Sequence, residues 1–167
     1  MIQLRPVRCR DWYRFIDLFN DHDIKQELPF LKPLTKIEYF FWFLSIIFNF
    51  RPGLIYSRAI CDNDKLIGII FLEQYSQIHM TANISFDLAA SYQGRGIAKK
   101  TVTLFCNHAF SNLKLNRINA IVRPSNQKSQ SLLVKVGFIK EAYLKQYVHF
   151  KGDLIDVFLY RLCRDER

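Results

Sequence analysis

The segment Gln93-Gly94-Arg95-Gly96-Ile97-Ala98 has the residue types of an anion-binding turn. It lies between a strand-like segment, 82–88, and a helix-like segment that begins near Ile97. A strand that turns directly into a helix leaves backbone N–H groups unpaired, and the helix dipole adds partial positive charge there. Glycine allows a phosphate to approach these amides because it has no side chain. The pattern therefore predicts a cradle for phosphate groups.

Two better-known phosphate loops do not account for this turn. A dinucleotide-binding fingerprint requires a third glycine at the position of Lys99, and a P-loop requires a Gly-Lys-Ser/Thr sequence that the chain lacks. Many tight turns contain two glycines, so the assignment depends on the residues around them.

Periodic apolar residues predict the elements that position this turn. Strands are expected over residues 2–4, 55–61, 66–74, 82–88, 117–122, 138–144 and 154–162. Helices are expected after a cap at Asp11, from Thr35, from Ile97 and over 126–136, and the turn formers at 62–65 predict a hairpin loop. This order predicts an α/β (α+β) fold, with one sheet and helices on both faces.

The turn resembles the acyl-CoA pyrophosphate loop of the GNAT superfamily of N-acyltransferases. Gln93, Gly96 and Ala98 match its Q/R-x-x-G-x-G/A pattern. A second stretch is similar to the N-x-x-S-x-x-L-L-x-x-x-G-F signature of the ribosomal-protein N-terminal acetyltransferase branch, through Asn126, Ser129, Leu132, Leu133, Gly137 and Phe138. Gly152 and Asp156 resemble the closing hairpin of that branch, so the resemblance spans residues 2–162.

This resemblance implies a mixed, mostly antiparallel seven-stranded sheet in a single acyltransferase domain, 1–167. The strands that end at Leu88 and Val122 are expected to splay into a wedge, where pantetheine pairs with free amides around Leu88 and Ala89. Acetyl-CoA is the implied co-substrate, and no metal is expected. The implied acetyl-CoA-binding residues are Leu88, Ala89, Gln93, Gly94, Arg95, Gly96, Ile97, Ala98, Lys99, Asn126 and Ser129.

The resemblance also implies that an amine attacks the thioester carbonyl directly and that the CoA thiolate departs. No Ser/His/Asp or Cys/His arrangement for a covalent intermediate is discernible in the sequence. A backbone amide near Leu88 is the expected oxyanion donor. Asp87 and Glu73 are the candidate bases, acting directly or through water.

The candidate acid departs from a common family pattern. Many members carry a tyrosine four residues before the Gly-Phe pair, where this chain has Leu133. Ser129 is the substitute that we name, as a hydrogen-bond donor to sulfur while water supplies the proton. Ser129 and Asn126 also have a structural interpretation, as residues that start a helix. The remaining candidate acids are Tyr92, Tyr143 and Tyr147.

Residues 39–50 form an apolar run that is interrupted only by Ser45 and Asn49. The run is shorter than the ~20 residues of a membrane span. Thr35 and Glu38 form a capping-box pattern that starts a helix here. We expect a largely buried helix. The alternative is an exposed face that lines an acceptor groove, forms a homodimer contact or touches a membrane.

Composition favours a single cytoplasmic domain. The chain has 167 residues, and its first residues lack the apolar run of a signal peptide. The cysteines form no C-x-x-C pair, and the histidines have no metal-ligand spacing. Among the histidines, only His79 is a candidate for mutation, because it lies beside the strand expected over 82–88.

The formal net charge of +9 raises the question of nucleic acid binding. The basic residues are spread along the chain without a dense tract, so no specific nucleic acid partner is expected. Lys99, Lys100 and Lys128 flank the two motifs and can attract the phosphates of CoA. A basic surface disfavours a polycation such as spermidine and favours an acceptor held by an acidic assembly such as the ribosome.

Two functions remain open from the sequence. The first is an acetyl-CoA-dependent N-acetyltransferase that acts on a protein N-terminus or a small primary amine. The second is a non-catalytic acyl-CoA-binding or sensing domain, which Leu133 at the tyrosine position supports.

Overall fold

The computed structural model describes residues 1–28, 34–48 and 54–166. Within these residues the strands and α-helices follow one another in the order β1 (Ile2–Arg5), α1 (Trp12–Asn20), α2 (His22–Glu27), α3 (Lys36–Phe48), β2 (Leu54–Asp62), β3 (Lys65–Ser76), β4 (Thr81–Leu88), α4 (Ile97–Ser111), β5 (Arg117–Val122), α5 (Gln127–Val136), β6 (Ile139–Phe150) and β7 (Asp153–Cys163). The expected elements are all present, whereas α2 was not predicted.

One seven-stranded sheet, in the order β1-β2-β3-β4-β5-β7-β6, organises the molecule. All neighbouring strands are antiparallel except β4 and β5, which pair in parallel. The predicted mixed, mostly antiparallel seven-stranded sheet is therefore confirmed. The predicted loop at 62–65 is a tight hairpin in which Asn63 and Asp64 have φ values of 45° and 68°, the positive values that such turns require.

Helices cover both faces of this sheet. Buried side chains of α1 and α3, such as Phe15 and Phe43, pack with one face of β3 through Ile69 and Phe71. Buried side chains of α4 and α5, among them Phe105, pack against the opposite face. β3 is buried on both faces, which explains its nearly continuous apolar sequence.

Asp11 precedes α1, as predicted, but its carboxylate does not cap the helix. Asp11 Oδ2 accepts a hydrogen bond from the Arg8 amide at 2.8 Å, and both carboxylate oxygens accept from the Arg5 guanidinium at 2.7 and 2.8 Å. The predicted capping role is wrong because this buried ion pair occupies the carboxylate. α2 is capped at Asp21, whose side chain accepts from the amides of Asp23 and Ile24.

α3 has the predicted capping box, in which the Thr35 amide donates to the Glu38 carboxylate at 2.7 Å and the Glu38 amide donates to Thr35 Oγ1. The expectation of a largely buried helix is wrong. One stripe is buried, whereas the opposite face is apolar and exposed at Ile37, Phe40, Phe41 and Phe48. Residues 49 and 50 of the predicted run lie outside the described residues. No described helix is long and apolar enough to cross a membrane.

Candidate active site

β4 and β5 separate after only three paired residues, as the wedge hypothesis predicts. The last pair joins Asn83 and Asn119, and beyond it the two strands diverge. The opening is a cavity of about 380 Å³. Its polar lining comes from Glu27, Glu73, Ser85, Arg123, Asn126 and Ser129. The splay leaves one edge of each strand without a neighbour, so a ligand with hydrogen-bonding groups can complete the sheet.

The glycine turn lies at the end of β4 that borders this wedge. Gly94 and Gly96 both have φ of +74°, a conformation that residues with a side chain rarely adopt. A Cβ atom at either position would meet open space, with no atom within 4 Å. Lys100 donates its amide to the Gly96 carbonyl and so starts the regular bonding of α4.

The backbone amides before Lys100 are the donors of the predicted cradle. Those of 94–99 donate to no acceptor in the described part of the chain. Free amides, open space and the positive end of a 15-residue helix suit a diphosphate. The exposed Arg95, Lys99 and Lys128 add positive charge around the turn. The residues present therefore fit the diphosphate of an acyl-CoA.

Gln93 braces this turn. Its Nε2 donates to the Leu88 carbonyl at 3.0 Å, and its Oε1 accepts from Lys128 Nζ at 3.4 Å. The side chain thus joins the end of β4 to the first turn of α5. The structure shows these two contacts of Gln93, and its predicted role in binding the cofactor stays a prediction.

Of the two residues expected to offer free amides, only Leu88 does so. The Ala89 amide donates to the Ile67 carbonyl at 2.9 Å, so that part of the prediction is wrong. Successive backbone groups of a strand point in opposite directions, so the amide of Leu88 faces away from β3 and toward the wedge. Gly68, opposite Leu88, makes this close pairing possible, since a Cβ there would lie 2.5 Å from the Asp87 carbonyl.

The two candidate bases lie on adjacent strands. Asp87 is partly buried on β4, and burial, followed by the negative charges of Glu73 and Glu27, raises the pKa of its carboxyl group to about 7. Glu73 on β3 lines the cavity and accepts from Ser85 Oγ at 3.4 Å. A carboxyl group with a pKa near neutrality is well matched to accept a proton from an amine.

Asn126 and Ser129 lie together at the start of α5. Asn126 Oδ1 accepts from the Ser129 amide at 3.0 Å, so the predicted N-cap role is observed. Both residues line the cavity, and the Ser129 hydroxyl has no hydrogen-bond partner among the described residues. Leu133, at the family's tyrosine position, is fully buried and borders the same cavity.

The alternative acids do not reach this cavity. Tyr143 donates to the Asp156 carboxylate, which raises the pKa of Tyr143, and Tyr147 is exposed. Tyr92 follows β4 beneath Arg95.

His79 is exposed in the β3–β4 turn. Among the described residues, no cluster of His, Cys, Asp or Glu could hold a metal ion.

Glu27 is a site residue that sequence reasoning missed. It ends α2, lines the cavity, pairs with Arg123 and accepts from Asn126 Nδ2 at 3.0 Å. The Asp21 cap and the short amphipathic stretch after it were the available signals for α2. Its contact with Asn126 spans 99 residues and has no local signature.

Residues 2–139 match the family described as acetyltransferase (GNAT) domain. This match covers most of the chain, and the chain belongs to the GNAT acetyltransferase family. Acetyl-CoA is the co-substrate of this family, which agrees with the diphosphate cradle and the wedge.

Curated relatives from bacteria give the same assignment. The uncharacterised N-acetyltransferase YoaA of Bacillus subtilis is 33% identical over 90% of this chain and 80% of its own length. The uncharacterised N-acetyltransferase p20 of Bacillus licheniformis is 35% identical over 66% of this chain and 62% of its own length. The ribosomal-protein-serine acetyltransferase of Escherichia coli is 32% identical over 70% of this chain and 65% of its own length. The match therefore spans less than two thirds of the latter two relatives.

Solved structures share the fold over nearly the whole chain. RimJ of Mycobacterium smegmatis, in complex with CoA-disulfide, has a TM-score of 0.82 at 27% identity and covers 99% of this chain and 83% of its own. The spermidine N-acetyltransferase of Vibrio cholerae, in complex with CoA and spermine, has a TM-score of 0.83 at 21% identity and covers 99% and 96%. At 21% identity, the similarity to the Vibrio cholerae enzyme shows a shared fold and nothing more.

Proposed function

We propose that this protein transfers the acetyl group of acetyl-CoA to a primary amine by direct attack in a ternary complex. The observation that carries this proposal is the glycine turn with free amides beside the point where β4 and β5 separate. A diphosphate at the turn would direct the pantetheine arm into the wedge. The thioester would then lie near the Leu88 amide.

The proposal assigns one group of the protein to each step of the transfer. As the amine nitrogen bonds to the thioester carbon, the carbonyl oxygen becomes negative and accepts from the Leu88 amide. The amine proton passes to Asp87, directly or through water, with Glu73 as the other candidate base. The carbon–sulfur bond then breaks, and the thiolate accepts a hydrogen bond from Ser129 while water supplies its proton.

A protein N-terminus is the acceptor that we favour. The ribosomal-protein-serine acetyltransferase among the relatives and the basic surface of this chain support an acceptor held by an acidic assembly. A polyamine is the second candidate because Glu27 and Glu73 line the cavity. A cytoplasmic location and a homodimer remain predictions.

A thiol-release assay tests the proposal. Free CoA thiol should appear from acetyl-CoA only when an acceptor is present, and a panel of N-terminal peptides, spermidine, amino acids and aminoglycosides should identify the class. Peptides with apolar N-termini belong in the panel because α3 has an exposed apolar face. Tight CoA binding without turnover on any amine would instead favour the non-catalytic binding domain, which Leu133 at the tyrosine position supports.

A further inference from the structure

Three distant parts of the chain meet at one edge of the cavity. The Glu27 carboxylate at the end of α2 pairs with Arg123, which follows β5, and accepts from the Asn126 side chain at 3.0 Å. The guanidinium of Arg123 also lies 4.1 Å from the ring centre of Phe150 in β6. Lys151, in the β6–β7 turn, donates to the carbonyl of Gln26 at 3.2 Å.

These contacts contribute little to overall stability. The side chains of Glu27 and Arg123 are 44% and 22% exposed, and ion pairs in contact with water contribute little to the free energy of unfolding. Their effect is geometric, because they hold the end of α2 against the wall of the wedge.

The side-chain amide of Asn126 connects Glu27 to Ser129, the candidate hydrogen-bond donor to the leaving sulfur. Its nitrogen is held by Glu27, and its oxygen accepts from the backbone amide of Ser129. The Glu27 carboxylate accepts from Nδ2 of Asn126, which leaves Oδ1 of Asn126 directed toward α5. Without this carboxylate, the side-chain amide of Asn126 loses the contact that fixes its orientation. The first turn of α5 carries Ser129 on the cavity wall, so the orientation of Asn126 sets the position of that hydroxyl.

We propose that Glu27 is a positioning residue for acetyl transfer, which holds Asn126 and thereby Ser129 against the wedge. This inference rests on the proposed function and adds a residue from α2 to its machinery. The charge of Glu27 also acts on Asp87, together with that of Glu73 on β3, and both oppose ionisation of the Asp87 carboxyl group.

Two substitutions of Glu27 separate its geometry from its charge. Glu27→Ala removes the partner of Asn126, whereas Glu27→Gln keeps an acceptor oxygen and removes the charge. Asp23→Asn is the matched control, since it removes a charge from the same helix at an exposed side chain without a hydrogen bond or ion pair to a described residue.

Amide hydrogen exchange tests whether Glu27 holds Asn126 and Ser129 in place, and it does not depend on turnover. We expect exchange at Ser129 to accelerate about 10-fold in Glu27→Ala and to stay near the wild-type rate in Glu27→Gln and Asp23→Asn. Unchanged Ser129 exchange in a folded Glu27→Ala protein would overturn the proposal, even if no amine acceptor has been found.

Steady-state kinetics test whether Glu27 contributes to the rate of acetyl transfer. In Glu27→Ala, kcat should fall about 10-fold while the CoA dissociation constant stays within about 2-fold. Ionisation of Asp87 should make kcat/KM increase with pH, and we call this increase the pH limb. In Glu27→Gln the pH limb should move to lower pH, because loss of a negative charge lowers the pKa of Asp87. A purely structural residue would lower Tm and the active fraction without moving that limb. An active enzyme with wild-type kcat and pH limb in both variants would reject the positioning role alone, whereas inactivity toward every amine would reject the proposed function.

Discussion

The carboxyl group of Asp87 combines a partly buried position with two neighbouring carboxylates, and its pKa is raised to about 7. If it accepts the amine proton, its working form is the ionised one, which predominates above that pKa. We therefore expect kcat/KM for the acceptor to increase with pH through about 7 as Asp87 ionises, and to keep increasing until the acceptor amine is also neutral.

Asp87→Asn removes this titrating group with little change in size. We expect kcat/KM to fall roughly 10²–10⁴-fold, the usual contribution of a general base, and the increase in kcat/KM near pH 7 to disappear. Glu73→Gln is the comparison, which should keep the limb but move it to lower pH by removing a like charge. The opposite pattern, with the limb lost only in Glu73→Gln, would assign the base to Glu73.

Ser129 is expected to act on the leaving sulfur rather than on binding. Ser129→Ala should lower kcat about 10-fold and change KM for acetyl-CoA less than about 2-fold, because the lost hydrogen bond forms chiefly in the transition state. Ser131→Ala, at an exposed position of the same helix, is the control and should retain wild-type rates. Equal turnover in the two variants would remove Ser129 from the mechanism.

At the scale of elements, the turn between β4 and α4 combines an unusual backbone with empty space. Gly96→Trp should fold, because its side chain enters the open space, but should weaken CoA binding at least 10-fold by occluding the diphosphate. Gly96→Ala experiences the same positive φ, a strain of about 1–2 kcal/mol, with far less occlusion. Calorimetric titration with CoA compares the two, and equal affinities would show that occlusion does not matter.

α3 illustrates how an element depends on its surroundings. Its capping box is local and was predicted, whereas its exposed apolar face was only the alternative to the expected burial. A uniformly apolar sequence does not specify which face contacts the sheet, because every rotation of the helix buries similar side chains. Contacts with α1, such as Trp12 against Phe40, accompany the observed orientation.

At the scale of the whole molecule, a buried ion pair ties β1 to the turn before α1. The side chains of Arg5 and Asp11 are 7% and 4% exposed, and Arg5 also donates to Asp64 in the β2–β3 hairpin. Asp11→Ala leaves the Arg5 guanidinium without its two-oxygen partner, which should cost about 3–5 kcal/mol.

Thermal unfolding checks this expectation, with a fall in Tm of roughly 6–20 °C. Asp17→Ala is the control, because its ion pair with Arg14 is 3.8 Å long and both side chains are largely exposed. Its Tm should change by less than about 4 °C. Similar Tm values for the two variants would mean that the buried pair is dispensable.

The sequence by itself determined the turn and every strand and α-helix except α2, since these depend mainly on neighbouring residues. Apolar periodicity identified the strands, and the positive φ at Gly94 and Gly96 explains why glycine occupies both positions. The tertiary structure decided what depends on distant neighbours: the Ala89 amide is occupied by Ile67, and Glu27 reaches Asn126 across 99 residues. Such contacts arise from how the sheet and helices pack, and no local pattern in the chain encodes them.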